Sequence, residues 1–286
     1  MRPKQWTKNV IIYAGLVFDG QLFRPEPFIL TTISFILLCL AASTIYVVND
    51  LVDIERDRQH PKKKYRPLAS GQLPVNLGIA AAIALPIIAV GGALLYSPRY
   101  AAILAIYIAL HILYSFRLKH IVIIDILTIT AGYVLRVAGG VLVIEVARFS
   151  PWLYTCTALL ALFLAIGKRR QELITLGDNA ANVRPIFKEY NLPLLDSMLN
   201  IVTTSTLLAY ILYTIEAPSL LLAGNNLALI TVPFVMYALF RYLYLIHVKG
   251  EGGAPDEVIL RDFPLQASIV LWGLMFVFIL YLPKVV

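Results

Sequence analysis

Charge is scarce in this chain. Of 286 residues only 14% are Asp, Glu, Lys or Arg, against about 25% in an ordinary globular domain. No polar stretch of domain length occurs anywhere, which excludes a separate water-soluble catalytic domain and leaves only helix ends and short loops for chemistry. Cysteine is nearly absent, and Cys39 and Cys156 both fall in apolar runs, where a thiol reads as a packing residue rather than half of a disulfide. Also missing are a G-x-x-x-x-G-K-[ST] phosphate loop, a G-x-S-x-G elbow and an H-E-x-x-H pair, so nucleotide hydrolysis and metalloprotease action lose support.

What the chain has instead is apolar length. It is 59% hydrophobic with a mean hydropathy of +0.78, the composition of an all-α, polytopic membrane protein. Runs able to cross about 30 Å of hydrocarbon are predicted at roughly 28–48, 75–95, 100–116, 121–143, 151–167, 196–215, 227–246 and 265–283. A shorter run at roughly 9–23, interrupted by Asp19 and Gly20, is taken as a first span, making nine. The basic residues test that count, since cytoplasmic loops collect Lys and Arg. With nine spans and the N-terminus inside, only Arg24, Arg99, Arg148 and Lys284 fall outside, Arg136 and Arg241 lie within spans, and the other 18 of 24 are cytoplasmic. The expectation is one catalytic domain over 1–286, multi-pass in the cell membrane, with its active site facing the cytoplasm. Arg2, Lys4 and Lys8 before an apolar run resemble a secretory leader, but no small-residue cleavage site follows Phe18, so the segment is expected to be mature sequence. A net charge of +7 fits attraction to anionic lipid and anionic substrates, with no nucleic acid required.

The most informative run is Asn49-Asp50-Leu51-Val52-Asp53-Ile54-Glu55-Arg56-Asp57, followed by the basic Lys62-Lys63-Lys64-Tyr65-Arg66. On a helix, spacings of three, four and seven bring Asp50, Asp53 and Asp57 onto one stripe, where like charges repel. A divalent cation relieves that repulsion. Mg²⁺ suits the pattern because it prefers one or two carboxylates completed by water and substrate phosphates. The bland alternative is a solvated helix end with mixed charges, and the membrane setting argues against it.

A second charged segment, Gly167-Lys168-Arg169-Arg170-Gln171-Glu172 running to Asp178, occupies a parallel place after an apolar helix, and ordinary capping explains it about as well. Between them the 121–143 helix carries Asp125 and Arg136. Ionisable groups at membrane depth usually face a bundle interior or a wet cavity, and a structural Asp/Arg pair with close-packed glycines is the alternative. Tyr107, His111 and Tyr114 share a face of the preceding helix, which leads to Arg117 and Lys119. A lone histidine there reads as packed, and Tyr114 is the better lining candidate. Lys8 is a candidate phosphate contact or an interfacial anchor.

Asn49-Asp50-x-x-Asp53-x-x-x-Asp57 resembles the first aspartate-rich motif of the UbiA superfamily of intramembrane prenyltransferases, and Lys168 to Asp178 is similar in placement to the second motif, although Gln171-Glu172 stand where aspartates are usual. Arg2-Pro3-Lys4-Gln5-Trp6-Thr7-Lys8-Asn9, His60-Pro61-Lys62, Arg66 to Gly71, Tyr114 to Lys119 and Tyr133 to Gly140 look like the branch of decaprenyl-phosphate phosphoribosyltransferases. The resemblance implies transfer of 5-phosphoribose from phosphoribosyl diphosphate to a polyprenyl phosphate, releasing diphosphate, for cell-envelope arabinan. It implies Mg²⁺ held by Asp50, Asp53 and Asp57, and substrate contacts from Lys8, Asn49, Lys64, Arg66, Tyr114, Lys119, Asp125, Arg136, Lys168, Arg169 and Glu172. Polyprenyl phosphate, phosphoribosyl diphosphate and the membrane are the implied partners, and a homo-oligomer is compatible with it. Two other readings stay open: an aromatic or quinone-precursor prenyltransferase using a polyprenyl diphosphate on the same acids, and a transporter gated by Asp125 and Arg136.

Overall fold

The computed structural model describes residues 3–59, 63–144, 151–216, 226–251, 258–259 and 261–281. Among them there is no strand. Eight helices are long and apolar enough to cross a membrane: α1 Pro25–Val52, α2 Val75–Leu94, α3 Pro98–Phe116, α4 Ile124–Val143, α5 Pro151–Leu176, α6 Leu192–Glu216, α7 Val232–His247 with a 3-10 turn Leu227–Thr231 before it, and α8 Phe263–Tyr281. The protein is therefore a multi-pass membrane protein. It divides into two compact units, one of Met1–Leu16, Gln21–Leu118 and Leu135–Val146, the other of Val17–Gly20, Lys119–Val134 and Ala147–Val286.

Local chemistry sets the helix ends. Pro25 and Pro98 sit in the first turns of α1 and α3, where a missing N–H costs nothing. Ser97 accepts the Tyr100 N–H, Asn191 Oδ1 accepts the Leu194 N–H, and Asp262 Oδ1 accepts the Leu265 N–H, capping α3, α6 and α8. Within the spans, hydroxyls cannot reach water and turn inward: Ser34, Thr44, Thr130 and Thr203 each donate to the carbonyl four residues earlier. Large apolar side chains such as Ile29, Ile33 and Ile36 stay exposed along one face of α1, as lipid contact requires and water would penalise.

In the first unit, Leu37, Leu38, Ala41 and Ile45 of α1 pack with Ala89 and Ala93 of α2 and Tyr100, Leu104 and Ile108 of α3. The N-terminal segment differs from the expected first span over 9–23. It is a 3-10 helix over Pro3–Tyr13, 11 residues long, passing into a 5-residue α-helix Ala14–Phe18. At about 2.0 Å per 3-10 residue and 1.5 Å per α-helical residue, it reaches roughly 30 Å, so a count of nine spans holds only approximately. Period three explains its burial: Trp6, Asn9 and Ile12 eclipse one another on one face, and Asn9 and Ile12 are almost fully buried. That face lies so close to α4 that a Cβ at Gly140 would overlap the Ile12 carbonyl. Gly140→Ala therefore forces backbone to move and is expected to cost about 1–3 kcal/mol, read as a lowered unfolding temperature in detergent; an unchanged midpoint would refute the close approach.

In the second unit, Phe163 and Ile166 of α5, Leu195 and Leu199 of α6, and Leu239, Tyr242 and Leu245 of α7 form one core. Tyr210, Tyr213, Phe276 and Leu280 form another, with Phe18 packed edge-on to Tyr213 and Phe276. α5 runs nine residues past the predicted end of its span, to Leu176, and stops at Gly177, whose φ of 51 favours a residue without a Cβ.

Candidate active site

Asn49 and Asp50 lie in the last turn of α1. The helix gives way at Asp53, with φ −98 and ψ 10, and a short helix Ile54–Gln59 follows. The stripe survives this break because the helical bonds pass through it, the Asp53 N–H donating to the Asn49 carbonyl and the Asp57 N–H to the Asp53 carbonyl. Arg66 closes the cluster. Its Nη1 donates to Asp50 Oδ1 at 3.1 Å and to Asp57 Oδ2 at 2.6 Å, so a cation does relieve the predicted repulsion, and that cation is a guanidinium. The Asp57 side chain is 3% exposed and Asp50 14%. A turn places Arg66: the Ser70 N–H bonds the Arg66 carbonyl, the Leu73 N–H bonds the Pro67 carbonyl, and Arg58 Nε donates to the Ala69 carbonyl. Lys64 is exposed, its Nζ 5.2 Å above the Tyr65 ring.

Two carboxylates that meet at one cationic nitrogen match the donor set of Mg²⁺, which takes one or two carboxylates and completes its shell with phosphate and water. Among the described residues no group of three or more Asp, Glu, His or Cys side chains is arranged to hold a metal. Asp50 and Asp57 could therefore supply part of a coordination shell, not a complete cage.

A second polar group in the same unit hangs on Asn9. Arg136 Nε donates to Asn9 Oδ1 at 3.0 Å, its Nη2 donates to the Tyr107 hydroxyl at 2.8 Å, and its guanidinium lies 4.9 Å from the centre of the Tyr107 ring. Asn9 Nδ2 donates to Cys39 Sγ, and Trp6 Nε1 donates to Ser43 Oγ. His111 packs edge-on to Tyr107 with ring centres 4.5 Å apart.

The second unit holds a buried ionic network. Arg169 Nε donates to Asp125 Oδ2 and Nη1 to Glu172 Oε2, both at 2.7 Å; Arg184 Nη1 approaches Glu172 Oε2 at 3.6 Å. Tyr190 donates its hydroxyl to Asp125 Oδ1 and accepts the Ile123 N–H. Ile123 stands at φ 69, a conformation costing a β-branched residue about 1–3 kcal/mol unless its surroundings impose it. Tyr190 supplies that constraint on the turn joining Lys119 to α4. Burial first, and then its bond to Asp125, push the Tyr190 phenol above its ordinary value, so it stays a donor at physiological pH. Arg170 is tied separately to Asp196 and the Ile246 carbonyl.

The structure thus brings together Asp50, Asp57 and Arg66; Arg136 with Asn9; and Asp125, Arg169 and Glu172. Asp125 and Arg136 lie eleven residues apart along α4, about 16 Å, and bond different groups, Asp125 to Arg169 and Tyr190 and Arg136 to Asn9 and Tyr107. Lys8, Tyr114, Lys119 and Lys168 are half-buried. Arg2 and His60 to Lys62 lie outside the described residues. Sequence reasoning missed Tyr107 and Tyr190 as hydrogen-bonding partners, and the only signal for Tyr107 was its place on the His111 face.

Eight membrane-length helices, the first ending in carboxylates clamped by an arginine, form the frame of an intramembrane enzyme, and the relatives that follow make it a transferase. The chain belongs to the UbiA prenyltransferase family, whose model matches residues 9–255. It is 35% identical over 288 residues to a decaprenyl-phosphate phosphoribosyltransferase of Corynebacterium glutamicum, covering 99% of this chain and 86% of that one. It is 32% identical over 277 residues to that of Mycobacterium tuberculosis, covering 95% and 90%. Among solved structures, a UbiA homolog from Archaeoglobus fulgidus bound to DMAPP and Mg²⁺ superposes with a TM-score of 0.72 at 16% identity, over 100% of this chain and 98% of that chain. A digeranylgeranylglyceryl phosphate synthase does so at 0.67 and 19%, over 96% and 92%. These two likenesses establish the fold.

Proposed function

We propose that this protein transfers 5-phosphoribose from phosphoribosyl diphosphate to a polyprenyl phosphate, decaprenyl phosphate in the named relatives, as a step toward cell-envelope arabinan. One observation carries the reading: identity above 30% along nearly the whole chain with relatives bearing that activity in their names. An oxygen of the lipid phosphate attacks C1 of the ribose, the C1–O bond to diphosphate breaks, and diphosphate leaves with the bonding electrons. Positive charge develops on the ribose ring, as in other glycosyl transfers. Both reacting groups are anions, so the protein must position them and screen their repulsion.

Asp50 and Asp57, with Asp53 on the same stripe, would hold Mg²⁺, and the ion would supply charge neutralisation for the departing diphosphate. Arg66 is fixed against the same carboxylates and shares that charge with Lys8 and Lys64, while Asn49 and Tyr114 line the approach. Lys168 receives the acceptor phosphate. Arg169, locked to Asp125 and Glu172, acts by holding the end of α5 from which Lys168 extends. The Lys/Arg distribution supports a cytoplasmic position for this chemistry.

Purified protein in detergent with Mg²⁺, polyprenyl phosphate and labelled phosphoribosyl diphosphate is expected to move label into the lipid phase, and excess EDTA to stop it. Prenylation of an aromatic acid from a polyprenyl diphosphate, with no label in lipid, would overturn the assignment.

A further inference from the structure

α7 and α8 each turn an apolar face outward. On α7, spacings of four, three and four put Tyr237, Arg241, Tyr244 and Val248 on one face, and Tyr237, Tyr244 and Val248 are exposed there. On α8, Phe263, Val270 and Leu274 share an exposed face in the same way. Such faces suit lipid tails. Arg241 is the exception, a charge on a lipid-facing stripe six residues, or about 9 Å, before the end of α7. Long cationic side chains in this position reach toward the headgroups. The Arg241 guanidinium reaches Asp262, which also caps α8: Nε donates to Oδ1 at 3.1 Å and Nη2 to Oδ2 at 2.8 Å.

That pair uses only part of the guanidinium. Arginine has five N–H donors, and no described residue accepts from Arg241 Nη1. The same guanidinium lies 5.1 Å from the centre of the Tyr244 ring, and Lys249 Nζ stands 6.0 Å from that centre. Two cations thus converge on one ring, while among the described residues a single carboxylate, Asp262, answers them. His247 turns to Asp196 instead, and Glu251 and Arg261, exposed on the adjoining segments, offset each other in the sum. One positive charge is left over, at a helix end flanked by Val248 at 68% exposure and Phe263 at 76%.

We propose that Arg241, Tyr244 and Lys249 bind the headgroup of one anionic phospholipid. Its phosphodiester carries one negative charge and two unesterified oxygens, which match the one uncompensated charge and the two donors, Nη1 of Arg241 and Nζ of Lys249. Its acyl chains lie against Val248 and Phe263 and continue along the exposed faces below them. A zwitterionic lipid brings its own cation and gains less. The Lys/Arg distribution supports a cytoplasmic place for this end of α7, and the cytoplasmic leaflet is where anionic lipids attract basic residues. Because Asp262 holds both Arg241 and the first turn of α8, the lipid sits on the joint between the two helices. The site owes nothing to the identity of the substrates.

The test is native mass spectrometry of the purified chain in detergent, titrated with phosphatidylglycerol or with phosphatidylcholine of the same acyl chains. Wild-type protein is expected to bind its first phosphatidylglycerol at least about tenfold more tightly than its first phosphatidylcholine, since two cations meet the charge. Lys249→Gln is expected to weaken phosphatidylglycerol binding about fivefold, the scale of one basic residue at an anionic surface, and to leave phosphatidylcholine unchanged. That variant keeps the fold, because Lys249 is exposed and its ammonium contacts only the Tyr244 ring among the described residues. Lys188→Gln removes the same charge from another exposed position and is expected to change neither affinity. Equal affinity of wild type for the two lipids overturns the site. So does an equal loss in both variants, which is attraction to basic surface in general. A raised KM for polyprenyl phosphate in Lys249→Gln, with phosphatidylglycerol binding intact, overturns it too and gives the position to the acceptor.

Discussion

Asp50→Asn is expected to lower kcat/KM for phosphoribosyl transfer by at least about a thousandfold while leaving the protein folded. The carboxylate is partly exposed at the end of α1 and its partner Arg66 keeps Asp57 at 2.6 Å, so folding loses one charge-assisted bond of two. The reaction loses more, because charge stabilisation at a departing diphosphate contributes several kcal/mol, and about 1.36 kcal/mol is tenfold in rate. Asp57→Asn provides the contrast. Its more deeply buried carboxylate also anchors the turn carrying Arg66, so it should lower activity and thermal stability together. Label transfer and unfolding temperature, measured on the same preparations, separate the two. Wild-type activity in folded Asp50→Asn would eliminate the carboxylate cluster as the diphosphate site.

Asp125→Ala is expected to be among the most destabilising single changes in the chain, at about 3–5 kcal/mol. Removing one partner of a buried ion pair leaves the other under-compensated, and here Arg169, only 3% exposed, loses its fully buried acid and keeps the more exposed Glu172. Tyr190 loses its acceptor in the same step, and with it part of the constraint on Ile123. The measurement is the unfolding midpoint in detergent together with the yield of monodisperse protein. A loss below about 1 kcal/mol, the scale of an exposed pair, would show that Asp125 is not buried in a paired network. The expected result would also separate roles, marking Asp125 and Arg169 as residues that hold the turn after Lys119 and α5 in place.

The membrane helices were legible in the sequence to within a few residues, because hydrocarbon thickness leaves little freedom in the length of an apolar run. The acid stripe was legible too, since helical period alone places Asp50, Asp53 and Asp57 together. Its cation was not. Arg66 is sixteen residues from Asp50, and only the turn through Pro67 and Ser70 brings it back. The end of α5 was misjudged for a related reason: Lys168 to Leu176 are too polar for a span, yet they continue the helix because Arg169 finds the buried Asp125 and Arg170 finds Asp196. Asp125 and Arg136 sit on one helical face, which suggested a common site, but their partners Tyr190 and Asn9 are far off in sequence and carry no periodic signal. The N-terminal segment misled most, because apolar content at residues 9–23 does not distinguish 3-10 from α winding.

That winding makes the segment a ruler with a three-residue pitch. Its eleven 3-10 residues extend about 22 Å, some 5 Å more than the same residues would in an α-helix. An insertion or deletion of three residues before Trp6 keeps Asn9 on Cys39 and Arg136. A change of one or two residues between Trp6 and Ile12 turns one anchor away from its partner by about 120°. Pro3–Tyr13 should therefore tolerate changes of residue type on its exposed side, at Thr7 and Val10, far better than a length change of one or two residues between Trp6 and Ile12.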